Sequence, residues 1–320
     1  MNSLSKLFII GNGFDLAHGI PSTFNHFKEY LRYNYSYDYS GYSVDLWLEP
    51  TTYPDGGEEY NIADCAKIID FMIRSISDSK RDGENWSDFE TRMGEIDYSV
   101  LEEDILVQYD KEGDENYFST REMYERAYKD LAGVMGKLPI LFSEWINDLS
   151  IPNLCFSVPN LETYYFIKEL IDAENDIFFT FNYTNTLEEL YEAQEVLHIH
   201  GTQNSEIIVG HSADREFGNM KYEQDEQMYS IHANLQKPTD RIIEENSEFF
   251  QSLEGKVDSI YSYGFSFSDV DLVYIREILE HVDSSNIEWY LHCYDSEQRR
   301  EEFKNIIKSC GFLGSFREFV

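Results

Sequence analysis

The feature that most constrains the fold is a short apolar run near the start of the chain that ends in two glycines. Leu7 to Ile10 are all apolar, and Gly11, Asn12 and Gly13 follow directly. Apolar runs without polar alternation are typical of strands that are buried on both faces of a sheet. Glycine permits close approaches that a side chain would block. The run therefore predicts a central strand that delivers its carboxyl end to a ligand, or a tight strand-to-helix turn that needs glycine.

Short apolar runs alternate with helical patterns over the second half of the chain. The predicted strands cover 177–181, 196–200, 206–210, 259–263 and 287–293, and the predicted helices cover 161–173, 186–193, 240–253, 269–281 and 296–309. This alternation predicts an α/β fold with a doubly wound, largely parallel, Rossmann-type sheet.

The segment between the first strand and this alternating region has a different pattern. Residues 33–60 are rich in Tyr, Ser, Gly and Asp and predict an irregular loop, whereas helical patterns dominate from 62 to 145. We therefore predict a nucleotide-binding domain formed by 1–32 and 155–320, and a large, mostly helical insertion at 33–154.

The charge and the cysteines limit the class of partner and the compartment. The chain has 61 acidic and 25 basic residues, a formal net charge of -36, which repels the phosphate backbone of nucleic acids. The four cysteines form no Cys-x-x-Cys pair, so neither a disulfide framework nor a structural zinc is expected. No leader or membrane-spanning run is apparent. We expect a cytoplasmic protein with no membrane partner and no direct nucleic-acid partner.

Polar residues and glycines stand where four of the predicted strands end. In a parallel sheet these ends meet at one crevice, where ligands bind. The residues concerned are Gly11, Asn12, Gly13, Thr180, Asn182, His200, Gly201, Gly264 and Ser266. The Asn182 amide is suited either to orienting a ribose hydroxyl or a water, or to capping a helix. His200 is suited either to general-base catalysis or to a structural role, and we expect it to share a strand face with His198.

An ordinary dehydrogenase nucleotide site is not expected at the first turn. The Gly-x-Gly-x-x-Gly fingerprint would need a third glycine where Leu16 stands.

The order and spacing of these motifs resemble those of two related families. Gly11-Asn-Gly13, Gly19-Ile-Pro21 and Phe24 resemble the opening motif of sirtuin-type NAD-binding proteins. Thr180-x-Asn182, His200-Gly201 and Gly264-x-Ser266 follow in the order of that family's ribose-binding asparagine, catalytic histidine and second ribose-binding motif.

Longer stretches are similar to the AbiH-type bacteriophage abortive-infection proteins, a bacterial group with a divergent sirtuin-like fold. They are IIGNGFDLAHGIPSTFNHFKEYL, WSDFE, FFTFNYTNTLE, HIHG and YGFSFSDVD. Only 33–84 contributes little to this resemblance. Asn12 replaces the alanine of the sirtuin motif, Thr184 replaces an acidic residue, and the zinc-binding cysteines of deacylases are absent. Protein deacylation is therefore not expected.

The resemblance implies an NADase, an enzyme that hydrolyses the nicotinamide N-glycosidic bond of NAD, without a metal. Asn182 would hold the ribose and the attacking water, and His200 would accept a proton. The remaining implied contacts are the diphosphate at Gly11, Asn12 and Gly13, the adenosine ribose at Gly264 and Ser266, the adenine near Asp295, and further contacts from Asp15, Thr180 and Gly201. NAD loss in an infected cell would explain abortive infection, with a phage or host protein as the trigger.

Two alternatives stay open at this stage. One is a non-catalytic module that senses NAD or ADP-ribose and uses its insertion to bind a partner. The other is a metal-dependent phosphodiesterase or nuclease built on His198, His200 and His211, because a His-x-His pair can chelate a transition metal.

The insertion itself adds two further expectations. Trp86, Asp88 and Glu90 lie on a predicted helix, which would either fold over the cleft to supply a carboxylate or bury Trp86 in a core with the two acids solvated beside it. Tyr, Phe and Trp make up 16% of the residues, which is also compatible with homo-oligomerisation.

Overall fold

The chain divides into two compact units. The computed structural model describes residues 4–37, 48–77, 90, 93–96, 105, 107–152, 161–218, 221–222 and 225–320. The first unit comprises 1–23, 146–208 and 238–320, and the second comprises 24–145 and 209–237. The second unit thus starts earlier than the predicted insertion at 33–154 and includes a later segment that the sequence did not assign to it.

The described residues form the following elements. In chain order, the strands are β1 (Ser5–Ile10), β2 (Thr51–Thr52), β3 (Glu58–Glu59), β4 (Ile177–Thr180), β5 (Glu195–His198), β6 (Val257–Tyr263), β7 (Glu288–His292) and β8 (Ser315–Phe319). The helices are α1 (Asn12–Ala17), α2 (Phe24–Tyr35), α3 (Ile62–Ser77), α4 (Tyr117–Met135), α5 (Leu138–Asp148), α6 (Leu161–Leu170), α7 (Thr186–Tyr191), α8 (Asp225–Asn234), α9 (Thr239–Glu245), α10 (Ser247–Ser252), α11 (Leu272–His281) and α12 (Glu297–Ser309). None of the helices in the described part of the chain is long and apolar enough to span a membrane.

The first unit contains a six-stranded sheet with the order β5-β4-β1-β6-β7-β8. Every neighbouring pair is parallel. The chain adds β4 and β5 on one side of β1, and then adds β6, β7 and β8 on the other side. This is the strand order of a Rossmann-like sheet, and it places the topological switch point between β1 and β6. The predicted α/β fold with a doubly wound parallel sheet is therefore confirmed.

Two details of the predicted sheet were wrong. Residues 206–210 do not form a strand, because the Ile208 N–H donates to the His200 carbonyl at 2.9 Å and the Ile208 carbonyl accepts from the Tyr183 hydroxyl at 2.9 Å. The strand β8 was not predicted, since an edge strand with mostly polar, partly exposed residues lacks the apolar signal of a central one.

Side-chain alternation along β1 builds a core on each face of the sheet. Leu7 and Ile9 pack with α9, α10, α11 and α12, whereas Phe8 and Ile10 pack with α1, α6 and α7. Phe8 also stacks on Phe178 and Tyr261 of the two neighbouring strands, with ring centroids 5.2 and 5.1 Å apart. Burying a side chain of this size contributes about 2 kcal/mol, so β1 is anchored at the centre of the sheet.

The second unit contains α2, α3, α4 and α8 and the short β2–β3 hairpin, which lies within the predicted loop at 33–60. Trp86 and Asp88 lie outside the described residues. Glu90 is buried and pairs with the buried Lys237 ammonium at 2.8 Å. In this structure Glu90 is thus neutralised within the second unit.

Candidate functional site

The glycines at the end of β1 pack against the backbone at the end of β6. A Cβ on Gly11 would lie 2.6 Å from the Gly264 carbonyl oxygen, and a Cβ on Gly13 would lie 2.7 Å from the Gly264 Cα. Gly264 itself has φ +63, which favours glycine. The close approach that the sequence predicted at this turn is therefore that of a neighbouring strand end.

The same turn already uses several of its backbone donors. The Gly11 N–H donates to the Tyr263 carbonyl, and the Gly13 N–H donates to the Gly264 carbonyl, both at 3.0 Å. The Asn12 side chain accepts from the Ser22 hydroxyl at 2.6 Å. Diphosphate binding by this turn stays a prediction, and in this conformation two of its amides are committed within the protein.

Asp15 is the centre of a buried polar cluster between α1 and the β4–α7 loop. Its side chain is only 2% exposed, and it accepts from the Thr184 hydroxyl at 2.7 Å and from the Thr186 hydroxyl at 3.0 Å. Burial raises the pKa of Asp15 to about 6, although the hydrogen bonds and the neighbouring His198 oppose this shift. Thr184, which departs from the sirtuin pattern, is thus a direct partner of Asp15.

Asn182 lies beside this cluster at the carboxyl end of β4. Its N–H donates to the Thr180 hydroxyl at 3.0 Å, and its side chain is near enough to Asp15 to lower that carboxyl's pKa. The residue is 6% exposed, and its Nδ2 lies near the Asp15 carboxylate without forming a hydrogen bond of standard geometry to the described part of the chain. A buried donor of this kind carries a desolvation cost that a bound polar group would relieve.

His198 connects Asn182 to α7. Its Nδ1 lies 2.8 Å from the Asn182 carbonyl oxygen, and its Nε2 lies 2.8 Å from Glu188 Oε1. Burial favours the neutral ring, but the hydrogen bond and charge of Glu188 outweigh burial, so the pKa of His198 is raised. The sequence analysis did not identify Glu188 as a site residue.

His200 faces the opposite side of the sheet from His198. Its ring packs against Phe181 and Tyr274 with centroid distances of 5.6 and 5.5 Å, and its Nε2 lies 3.9 Å from Asp271 Oδ1. The prediction that His198 and His200 share a face was wrong, because β5 ends at His198 and the chain then turns, with the Gly201 N–H donating to the His198 carbonyl at 3.1 Å.

The residues around His200 close it off from solvent. His200 is 3% exposed, and Phe181 stacks on Phe265, the residue after Gly264, at a centroid distance of 4.3 Å. Gly201 has φ +86, and a Cβ there would lie 1.9 Å from the Glu206 carbonyl oxygen. Asp271, which accepts from the Ser268 hydroxyl at 3.1 Å, is a second residue that sequence reasoning missed.

The remaining predicted residues lie along the β6 and β7 ends. Ser266 is partly buried in the loop after β6. Asp295 follows β7, and its carbonyl accepts from Arg300. Beside it, the His292 and Tyr294 rings are nearly parallel, with centroids 6.4 Å apart and planes at 10°, and Tyr294 is exposed.

The structure assembles no histidine chelate from the predicted pair. His198 and His200 turn to opposite faces, and His211 belongs to the second unit. Within the ranges that the structure describes, no group of three or more His, Cys, Asp or Glu side chains is placed to hold a metal ion.

Comparison with known proteins identifies one family. The model of the family described as "Bacteriophage abortive infection AbiH" matches residues 7–293. This range includes every predicted site residue except Asp295. No curated protein and no solved structure shows a significant match to the chain.

Proposed function

Since the chain belongs to the bacteriophage abortive infection AbiH family, we propose that it acts in abortive infection by hydrolysing the nicotinamide N-glycosidic bond of NAD. The proposal locates the protein in the cytoplasm, with the dinucleotide as its substrate and a phage or host protein as its trigger. Loss of NAD would then stop the infected cell from supporting phage growth.

The observation that carries the proposal is the buried Asn182 at the carboxyl edge of a parallel sheet with Rossmann-like strand order. Ligands of such sheets bind outside the carboxyl ends of the strands near the switch point. Asn182 follows β4 by two residues, and β4 pairs directly with β1, one of the two strands that flank that switch point. Its Nδ2 has Asp15 nearby but no hydrogen bond of standard geometry within the described chain, so a ribose hydroxyl would complete its bonding.

Two groups at the carboxyl edge of the sheet, the Asn182–Asp15 cluster on one face and the His200–Asp271 pair on the other, would supply the chemistry that such a cleavage needs, with the substrate reaching both. Water attacks the anomeric carbon, the bond to the nicotinamide nitrogen breaks with its electron pair leaving on nicotinamide, and the water proton passes to His200. Asp271, 3.9 Å from His200 Nε2, would stabilise the imidazolium that forms. The buried carboxylate of Asp15 would favour the positive charge that develops on the ribose in the transition state.

The far end of the dinucleotide would lie along β7. The nearly parallel rings of His292 and Tyr294 offer aromatic faces on which a purine can stack. Asp295 follows directly, where the sequence predicts an adenine contact. The reacting end and the base end are then both on the carboxyl edge of one sheet.

A second candidate function is a module that binds NAD or ADP-ribose without cleaving it. The burial of His200 favours this alternative, since Phe181, Tyr183 and Tyr274 surround its ring. Burial is also what a restrained enzyme requires before its trigger arrives. The two candidates differ in turnover and agree on the ligand.

Nicotinamide release from NAD by the purified protein tests the proposal. The test variants are Asn182→Ala and His200→Ala. Their matched controls are Asn286→Ala, at an exposed position before β7, and His281→Ala, at the distal end of α11. Release by the wild type and both controls, and a loss of about a hundredfold or more in both test variants, is expected.

Two other results would change the conclusion. Equal release by the test variants would move the reaction away from this site. No release by any form, together with calorimetric binding of ADP-ribose that Asn182→Ala weakens, would show that the site holds a dinucleotide and would leave a restrained enzyme and the sensing module as the two candidates.

A further inference from the structure

His198 has an acceptor on each of its two ring nitrogens. The Asn182 carbonyl oxygen and the Glu188 carboxylate both lie 2.8 Å away. Neither group can donate a hydrogen, whereas a neutral imidazole has only one N–H. Both contacts are satisfied together only when His198 carries two protons and a positive charge.

His18 in the same unit shows that two close contacts do not by themselves require this charge. Its Nδ1 lies 2.7 Å from the Phe14 carbonyl oxygen, and its Nε2 lies 2.7 Å from the Tyr191 hydroxyl. A hydroxyl can donate as well as accept, so neutral His18 satisfies both contacts. Burial accordingly lowers the pKa of His18.

The groups that face His198 support its positive charge. Glu188 on α7 forms the ion pair, and Asp15 on α1 adds a second negative charge nearby. The third partner, on the β4–α7 loop, is the Asn182 carbonyl. The side chain of His198 is 9% exposed and that of Glu188 is 34% exposed, so solvent screens this ion pair only in part.

We propose that His198, held as an imidazolium by Glu188, is a positioning residue that fixes the Asn182 main chain and thereby aims the Asn182 side chain at the ligand. The Asn182 N–H is already tied to Thr180, and His198 ties the carbonyl of the same residue. With both backbone groups bonded, the direction of the Asn182 Cα–Cβ bond is fixed, which limits the region that its side-chain amide can reach. The assignment of the ligand rests on the proposed function, whereas the charged state and its effect on Asn182 do not.

The charge is tested without reference to activity by NMR of protein labelled with ¹⁵N-histidine. The His198 signals are assigned from their loss in His198→Gln, and their titration is followed from pH 5 to pH 10. In the wild type we expect His198 to stay doubly protonated above pH 6.5. In Glu188→Gln the midpoint is expected to fall, and in Glu189→Gln, a neighbouring exposed position on α7, it is expected to stay.

Positioning is tested on the same samples with the side-chain amide of Asn182. Its ¹H–¹⁵N signals, assigned by their loss in Asn182→Ala, are expected to shift with the His198 titration and to follow its lowered midpoint in Glu188→Gln. A neutral His198 at pH 6.5, or an Asn182 signal that ignores the titration, would overturn the proposal.

Ligand binding adds a test that separates this proposal from the proposed function. ADP-ribose affinity is expected to be about tenfold lower in Glu188→Gln than in Glu189→Gln at a pH above the variant's midpoint, and equal below it. Equal affinity at every pH would overturn the positioning role. If no form binds ADP-ribose, the proposed function fails, and the NMR titrations alone decide whether His198 positions Asn182.

Discussion

Two histidines, one in each unit, differ in how their surroundings treat the charge on the ring: His198 is partly buried, and His211 is fully buried. His198 in the first unit faces Glu188 and the Asn182 carbonyl, which favour its charged form. His211 in the second unit is 0% exposed, and neither of its ring nitrogens is hydrogen-bonded to any described residue. Its nearest ring is that of His232, with centroids 4.2 Å apart. Burial, and then the charge of His232, lowers the pKa of His211 to about 4.

The difference teaches that burial alone does not decide what a histidine does. Burial opposes the charge on both rings, and only a carboxylate at hydrogen-bonding distance reverses the outcome. The first unit thus keeps a charge at the carboxyl edge of its sheet, where ligands bind. The second unit keeps His211 neutral inside its core. The comparison predicts opposite pH dependences of stability for the two sites.

The largest expected effect comes from forcing apart the ends of β1 and β6, which pack closely through their glycines beside the Asp15 cluster. Gly264→Ala places a Cβ 2.4 Å from the Phe14 nitrogen at a position with φ +63, and we expect a loss of about 3 kcal/mol or more in unfolding free energy. Gly255→Ala is the matched control, since it has φ +68 and open space around it; backbone strain alone costs about 1 kcal/mol. Urea unfolding, monitored through hydrogen exchange of the β1 amides, measures the loss of unfolding free energy in both variants. Equal losses would show that the close packing contributes nothing.

The next effect concerns His211 in the second unit. The pKa of His211 is lowered to about 4 in the fold, from 6.5, so the unfolded chain binds more protons between these values and stability falls as pH decreases through this window. His211→Leu and His211→Gln both remove the titration. When the pH is lowered from 7 to 4, the unfolding free energy of each variant is expected to rise relative to that of the wild type by up to about 3 kcal/mol. Hydrogen exchange in α4, within the second unit, measures it, and an unchanged pH dependence would mean that His211 is not the titrating group.

These contrasts also show where sequence reasoning succeeded and where it stopped. Parallel strands bring their carboxyl ends to one edge, so the proximity of Gly11, Gly264, Asp15 and Asn182 followed from the strand pattern. The position of His200 could not be predicted in this way, because the chain turns directly after β5 ends at His198 and places His200 on the other face of the sheet.

The partners of the two strand-end histidines were also beyond the sequence. Glu188 and Asp271 belong to a chain with 61 acidic residues, and nothing local distinguishes these two from solvated carboxylates. Their roles depend on the register between a helix and a strand end, which is a tertiary property. The glycine turn after β1 could be predicted from the sequence because it is local. The group that approaches it, the Gly264 backbone, could not, because that contact is also tertiary.

A smaller effect is expected at Asp15, the acidic member of the first cluster. Burial raises its pKa to about 6 in the fold, from 3.8, so its contribution to stability is full below pH 3.8 and is lost as pH rises through 6. When the pH is raised from 5 to 8, the unfolding free energy of Asp15→Asn is expected to rise relative to that of the wild type by about 1 kcal/mol. Urea unfolding measures this change. A constant difference between the two proteins across this range would place the titration elsewhere.

The smallest effect is expected at His198, and its pH dependence is opposite to that of His211. The pKa of His198 is raised in the fold, so its stabilisation is full below pH 6.5 and is lost as pH rises through the folded-state pKa. His198→Gln removes the charge and is expected to cost about 1 kcal/mol at pH 6, because Glu188 is partly exposed and screened by solvent. At pH 9 the cost is expected to be smaller, since the wild-type ring is then less charged. Urea unfolding at the two pH values measures this difference, which runs opposite to that of His211→Gln. A cost that grows with pH would mean that Glu188 does not hold a charge on His198, and the two histidines would then differ only in their neighbours.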